Sequence, residues 1–364
     1  MRNQLLIAES VIIDNNCKRQ VSEWRYLSVH KLWIAATAFA TLMGATEAQA
    51  GAPTQATCTK AIAYSDENRG VAVLVLKNGL VLCASSQTTE PHELWSGTKS
   101  LVGLMAAAAA QDGLLNLDER AAETITEWES DPPKNAITLH HLLSMTSGQP
   151  SAVGHPQSYA ASLKIALTAQ PGSRFQYGPA PLQIFGEIMR RKLEAAGQDP
   201  DPRRYLERRI LGPIGVTVAK WRNGPDGNPL MPQGVTISAG QWAKIGEFVR
   251  GGGKSRGAQL VDPGTFAALF EGTRANPAYG LTWWLPRTTP SRDAVTASTD
   301  ITDPNADLPP DMVVAAGAGD QRLYVIPSRG LTIVRQARLD LSALLAGRKS
   351  EWSDRHFLSL ILVQ

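Results

Sequence analysis

Leu94-Trp95-Ser96-Gly97-Thr98-Lys99-Ser100 runs directly into Leu101-Val102-Gly103-Leu104-Met105 and five alanines, Ala106 to Ala110, and the fold turns on how this stretch is read. From Ser100 to Ala110 it is rich in Ala, Leu and Met with no polar face, which predicts a helix buried on most of its surface and starting near Ser96. Ser96 and Lys99 are three residues apart, one helical turn, so their side chains share a face. The helix N-terminus adds free backbone N–H groups and a positive dipole end beside the serine. A serine hydroxyl is a weak nucleophile until a base removes its proton, and a desolvated lysine kept neutral can be that base. The tetrapeptide alone says little, since a chain of this length carries about one by chance.

Upstream, Gly70–Lys77 is a β-branched run ending at Asn78-Gly79, and Leu80–Ser85 is a second run, which together predict a hairpin. Downstream comes a mostly helical block. Thr138 can cap a helix over Leu139–Met145, Ala180–Ala195 follows a Pro-Gly and Tyr-Gly-Pro loop, and Ser238 can cap Ala239–Arg250. Strands return in Gly280–Leu285, Met312–Ala316, Gln321–Ile326 and Leu331–Gln336, before an amphipathic helix from about Glu351 to Leu362. The layout predicts an α/β fold of the α+β type: one antiparallel sheet flanked by helices, with a helical lobe inserted. The sheet lobe comprises 51–95 and 275–364, the helical lobe 96–274, and the site lies in the cleft between them. Trp283 and Trp284 are expected to alternate, one ring inward and one outward. The polar segment 286–311 is long for an irregular loop, which points to a lid or to disorder.

The 364 residues are 43% hydrophobic and 19% charged, ample for a large core, and the formal charge is +3 with no long run of Lys and Arg. Nothing favours nucleic acid or an anionic membrane surface, so a small molecule or a peptide is the default partner. Lys31, the 14-residue apolar run Leu32–Ala45 and Ala48-Gln49-Ala50 read as a signal peptide cleaved after Ala50. The run falls short of the roughly 20 residues of a membrane span, so no stable span is expected once the leader 1–50 is removed, and the protein is expected to be exported, periplasmic or secreted. Residues 1–30 form an unusually long leader, and Val29 is an alternative start. Loss of Cys17 with the leader leaves Cys58 and Cys83, either bridged or unpaired with Cys83 packed in a strand. His140 and His141 are adjacent and cannot face one metal from a helix. No metal or cofactor is expected.

Leu94-Trp95-Ser96-Gly97-Thr98-Lys99-Ser100, followed by Ile137-Thr138-Leu139-His140-His141-Leu142-Leu143-Ser144-Met145-Thr146-Ser147-Gly148, closely resembles class C β-lactamase-related serine hydrolases. That family includes β-lactamases, D-amino-acid peptidases, carboxylesterases and 6-aminohexanoate-dimer hydrolases. Tyr177-Gly178-Pro179 falls where the family has Tyr-x-Asn, and Ala315-Ala316-Gly317 where it has Lys-Thr-Gly or His-x-Gly. The stretch Ala318 to Pro327 looks most like the esterase and 6-aminohexanoate-dimer hydrolase branch. The resemblance spans about residue 60 to 340.

It implies a β-lactamase/transpeptidase-like fold in which Ser96 attacks a carbonyl and Lys99 and Tyr177 handle its proton. The backbone N–H groups of Ser96 and Ala318 would form the oxyanion hole. Ala315, Ala316 and Gly317 would be the substrate strand, with glycine at 317 to let substrate lie against it. Two departures argue against β-lactams and for esters or small amides: Pro179 lacks the amide of Asn, and Ala315 lacks a cation for a substrate carboxylate. Arg322 is the fallback cation for such a carboxylate. Rival readings are a β-lactamase or D-Ala-D-Ala-type peptidase acting on cell-wall material, and a binding or regulatory module that is acylated but does not turn over. A Ser-His-Asp set built on His92 lacks its G-x-S-x-G elbow, and Tyr324 reads as a strand core residue.

Replacing Lys99 by Ala or Met is expected to cost several powers of ten in acylation rate, and Arg is expected not to rescue it because a guanidinium stays protonated. Stopped-flow acylation of the three variants checks this; a near-normal rate with Arg would make Lys99 a structural charge.

Overall fold

The computed structural model describes residues 54–362 apart from 153, 155 and 349. The leader, with Cys17, the Leu32–Ala45 run and the position after Ala50, lies outside these residues. Five strands form the main sheet: β1 (Gly70–Lys77), β2 (Leu80–Ala84), β3 (Val313–Gly317), β4 (Gln321–Ile326) and β5 (Leu331–Ala337). Their order is β2-β1-β5-β4-β3, with every neighbouring pair antiparallel. The β1–β2 hairpin closes through Asn78 at φ 51° and Gly79 at φ 80°, the doubly left-handed turn that matches the twist of the strands.

β1 is buried from Val71 to Leu76 because helices cover both faces of the sheet. The longer helices are α1 (Gln55–Glu67), α2 (Lys99–Gln111), α3 (Ala180–Ala195), α4 (Ala239–Arg250) and α5 (Asp354–Ile361). Thr332 in β5 donates its hydroxyl to Glu247 of α4 at 2.6 Å. Arg335, three residues on and therefore on the other face, donates to Ser65 of α1 at 3.1 Å and lies 3.7 Å from the centre of the Trp352 ring beside α5. Thus α4 covers one face, and α1 with α5 the other. The residues before the hairpin form a 13-residue helix. Its buried stripe is Cys58, Ala61 and Ser65, side chains too small and too polar to produce a visible apolar period.

α2 is buried on every side from Lys99 to Ala109, α3 has the bounds that its pattern predicts, and Thr138, Ser238 and Ser353 cap the helices that follow them. A short three-stranded sheet also forms, in which Pro91–Glu93, just before the serine turn, joins Lys220–Trp221 and Val235–Ser238 of the middle block. Val235 fastens both sides of the Ser96 turn, accepting from Leu94 N at 2.8 Å and donating to the Thr98 hydroxyl at 3.2 Å.

Two expectations are corrected. Gly280–Leu285 is not a continuous strand: Thr282 sits at φ 73°, which breaks the extended run, and only isolated bridges from Tyr279 to Trp284 and from Trp284 to Val314 remain. Trp283 and Trp284 are both buried, so neither ring faces outward, and they pack on different neighbours, Trp283 on Phe270 and Trp284 on Tyr177 and Tyr279. Segment 286–311 is packed rather than disordered. It holds two short 3-10 turns, buries Ile301, and pairs Asp303 with Arg355 of α5 at 2.9 Å.

A disulfide joins Cys58 of α1 to Cys83 of β2, with a Cα–Cα distance of 6.1 Å. It closes a loop of sequence separation 25, and a loop of that size restricts the unfolded chain by about 3 kcal/mol. Denaturant unfolding with and without reductant is expected to show a loss of that order; no change in midpoint would show that the bridge contributes nothing.

Candidate active site

Ser96 lies in a 3-10 turn, Trp95–Thr98, that feeds directly into α2. Trp95, immediately before it, is held at φ 49°, a conformation that a bulky residue adopts only where its surroundings enforce it. The enforcement comes from the Val235 contacts, from Gly97 N to Leu94 O at 2.9 Å, and from Ser100 Oγ to Gly97 O at 2.7 Å. The turn leaves the Ser96 side chain half-buried and places Lys99 one turn into the buried helix.

Lys99 Nζ lies 2.9 Å from Ser96 Oγ and 3.0 Å from the Pro232 carbonyl oxygen. The residue is 4% exposed, and burial pushes its amine down to about 7. Nζ also sits 4.8 Å from the centre of the Tyr177 ring, a contact that favours the ammonium. Such a contact is worth about 2 kcal/mol when desolvated, less than the several kcal/mol that burying an ammonium costs. The neutral amine is therefore within reach at neutral pH, with a lone pair free to accept the serine proton.

Tyr177 is 6% exposed, and its hydroxyl hydrogen-bonds to Ser96. Burial raises its pKa to about 12, the nearby Asp293 carboxylate adding to the rise, while the Ser96 bond and the Arg322 charge act against it. At neutral pH it is a phenol, not a phenolate. The ring is set by its neighbours: Tyr279 at 6.0 Å, Trp284 at 5.7 Å and Phe175 at 6.2 Å between ring centres. Its backbone N–H donates to Asp293 at 3.2 Å, which ties segment 286–311 to the site.

The strand after this segment completes the arrangement. By the alternation of β3, Ala315 and Gly317 share one side-chain face, while the N–H and C=O groups of Val314 and Ala316 point away from β4. Val314 uses its outward groups on Trp284, with both bonds at 2.9 Å. Ala316 follows along that edge, and Gly317 beside it lies next to the serine turn. Glycine at 317 serves a contact that the sequence does not reveal. A Cβ there would fall 2.0 Å from Leu94 O and 3.0 Å from Gly97 N, so the strand backbone packs directly on the serine turn, and the glycine serves that approach.

The sequence candidates Ser96, Lys99 and Tyr177 thus come together, with Gly317 against the turn. Ala315 is 1% exposed and brings no charge. Arg322 is not a free cation: it is ion-paired with buried Asp354 at 2.7 Å and donates to Gly317 O at 3.3 Å, behind the strand. Tyr324 donates to the same Asp354 and is structural. His92 pairs in the short sheet and makes no hydrogen bond to Ser96. His140 and His141 are both half-buried, and His141 Nδ1 caps its helix by accepting from Thr138 N at 3.2 Å. Sequence reasoning missed the Pro232 carbonyl, which carries no residue-type signal, and Asp293, one of many acids in a polar segment.

The family model described as Beta-lactamase matches residues 56–342. Among curated proteins, Protein flp of Staphylococcus aureus is 26% identical over 145 residues, covering 33% of this chain and 29% of its own length. Monacolin J acid methylbutanoyltransferase of Aspergillus terreus is 30% identical over 162 residues, covering 36% of this chain and 38% of its own. The chain therefore matches only about a third of the length of either relative. Among solved structures, a putative β-lactamase from Bacteroides dorei has a TM-score of 0.66 at 18% identity, over 84% of this chain and 98% of the other. EstCE1, a hydrolase with promiscuous acyltransferase activity, has a TM-score of 0.62 at 17% identity, over 84% and 97%. The putative 6-aminohexanoate-dimer hydrolase from Bacillus anthracis gives 0.59 at 17%, over 79% of each chain. The fold is β-lactamase/transpeptidase-like.

Gly317→Ala is expected to lower stability by about 1–3 kcal/mol, since its methyl must push the strand off the Leu94 carbonyl. Chemical denaturation checks this; an unchanged midpoint would mean that the strand does not press on the turn.

Proposed function

The chain belongs to the Beta-lactamase family, and from that premise we propose that it is a serine hydrolase cleaving a carboxylic ester or small amide through an acyl-Ser96 intermediate. The observation that carries this reading is the contact of a buried amine, lowered to about 7, with a half-buried serine hydroxyl at 2.9 Å.

As Ser96 Oγ bonds to the substrate carbonyl carbon, its proton passes to Lys99 Nζ and the carbonyl π electrons move to oxygen. The N–H groups of Ser96 and Ala318 receive that oxyanion, an interaction typically worth a few kcal/mol per donor. When the tetrahedral species collapses, the bond to the leaving group breaks. The Tyr177 phenol hands that group a proton and is reprotonated from the Lys99 ammonium. Water then repeats the sequence on the acyl-enzyme and releases the acid. Tyr177, raised to about 12, acts as a donor and relay, which leaves Lys99 as the base.

Esters and small amides fit better than β-lactams. Ala315 supplies no cation, Pro179 no side-chain amide, and Arg322 is committed to Asp354. The family relationship keeps a β-lactamase or D-Ala-D-Ala-type peptidase as the second enzymatic reading. Export to an oxidising compartment, with Gly51 as the first mature residue, accords with the Cys58–Cys83 bridge.

Brief incubation with 4-nitrophenyl acetate followed by acid quench is expected to leave one acetyl group on Ser96 by peptide mass mapping, and none in Ser96→Ala. kcat/KM for the ester is expected to rise with pH through about 7, because only the neutral amine accepts the proton. Turnover by Ser96→Ala, or a flat profile between pH 5 and 9, would contradict the mechanism.

A further inference from the structure

A cavity of about 600 Å³ opens beside Tyr177, lined by Phe175, Ser151 and Asp293 and by three arginines from three separate segments, Arg174, Arg274 and Arg292. It adjoins the catalytic set through two contacts: Asp293 accepts from Tyr177 N at 3.2 Å, and the Phe175 ring lies 6.2 Å from the Tyr177 ring. Ser96 and Lys99 do not line it. A ligand group held there would sit about one tyrosine side chain away from the serine.

The three guanidiniums make no ion pair or hydrogen bond among the described residues, whereas many other arginines of the chain are paired with acids. The one carboxylate lining the cavity is already engaged, since Asp293 accepts from Ser151 Oγ at 2.6 Å, Tyr177 N at 3.2 Å and Val295 N at 3.0 Å. The cavity therefore carries an excess of positive charge without an internal partner. Guanidinium forks recognise carboxylate and phosphate oxygens.

We infer that this cavity is a subsite for an anionic group of the substrate, carboxylate or phosphate, lying remote from the scissile carbonyl. The inference rests on Ser96 as the acylated residue and names the substrate class for that reaction. Ala315 brings no cation to the strand, and the three arginines supply positive charge in a cavity that adjoins Tyr177 through Asp293 and Phe175.

The test compares 4-nitrophenyl esters of equal acyl length ending in methyl, carboxylate or phosphonate, with the wild type and with the triple variant R174Q/R274Q/R292Q. All three arginines are exposed, so the substitutions leave the core untouched. The wild type is expected to favour an anionic ester over the methyl ester by tenfold or more in kcat/KM. That preference is expected to shrink with added salt, as it must for exposed charges, and to fall to near unity in the triple variant. Whichever anionic ester shows the larger ratio names the group. Equal kcat/KM for all three esters in the wild type, or a preference that survives in the triple variant, would overturn the subsite. A second readout separates this from failure of the hydrolase reading. In the Ser96→Ala background, glutarate or inorganic phosphate is expected to raise the melting temperature, and to lose that effect when the arginines are replaced. No rise with either anion would also overturn the subsite, whatever the fate of the esters.

Discussion

The structure is organised around one buried contact, the amine of Lys99 against the hydroxyl of Ser96 at 2.9 Å. An ammonium in that position would be stripped of water with a carbonyl, a hydroxyl and a ring face in exchange and no carboxylate among the described residues to pair with, so burial shifts it toward the neutral form. The apolar helix that follows is the means of that desolvation: α2 is buried on all sides from Lys99 to Ala109. A core-building segment thereby tunes a base, and core packing and reactivity are set by the same residues.

The contact demands that the serine be held at an unfavourable bend, and several independent elements share that task. Trp95 stays at φ 49° because the short sheet grips Leu94 and Thr98 and because β3 presses its backbone on the Leu94 carbonyl through Gly317. Behind β3, the buried Arg322–Asp354 pair fixes the Gly317 carbonyl from the opposite side. Tyr177 is fixed by an aromatic wall and by Asp293, so the two side chains to which the proposed mechanism gives proton transfer are anchored by different parts of the chain.

Much of this was legible in the sequence where periodicity or turn chemistry carries the signal. The buried helix, the Asn78-Gly79 hairpin, α3 and the three C-terminal strands follow from apolar pattern and caps, and Ser96 with Lys99 from one-turn spacing. Tyr177 emerged only from its place in a family motif. What stayed hidden has no local signature. α1 buries small side chains, the run at Gly280–Leu285 is broken by the backbone of Thr282, and Pro232 contributes only a carbonyl. The close approach of Gly317 to the serine turn was also hidden, because the atom it must avoid belongs to a residue more than two hundred positions earlier.

The central claim is that burial makes Lys99 a base, and a direct titration of that one amine tests it most sharply. Lysine labelled with ¹³C at Cε, followed by NMR from pH 5 to 11 with Lys99→Met to assign the resonance, reports its protonation state in the folded protein. The account predicts a midpoint near 7, set by desolvation. A midpoint at 10 or above would show Lys99 to be an ordinary ammonium, and Ser96 would then need another base.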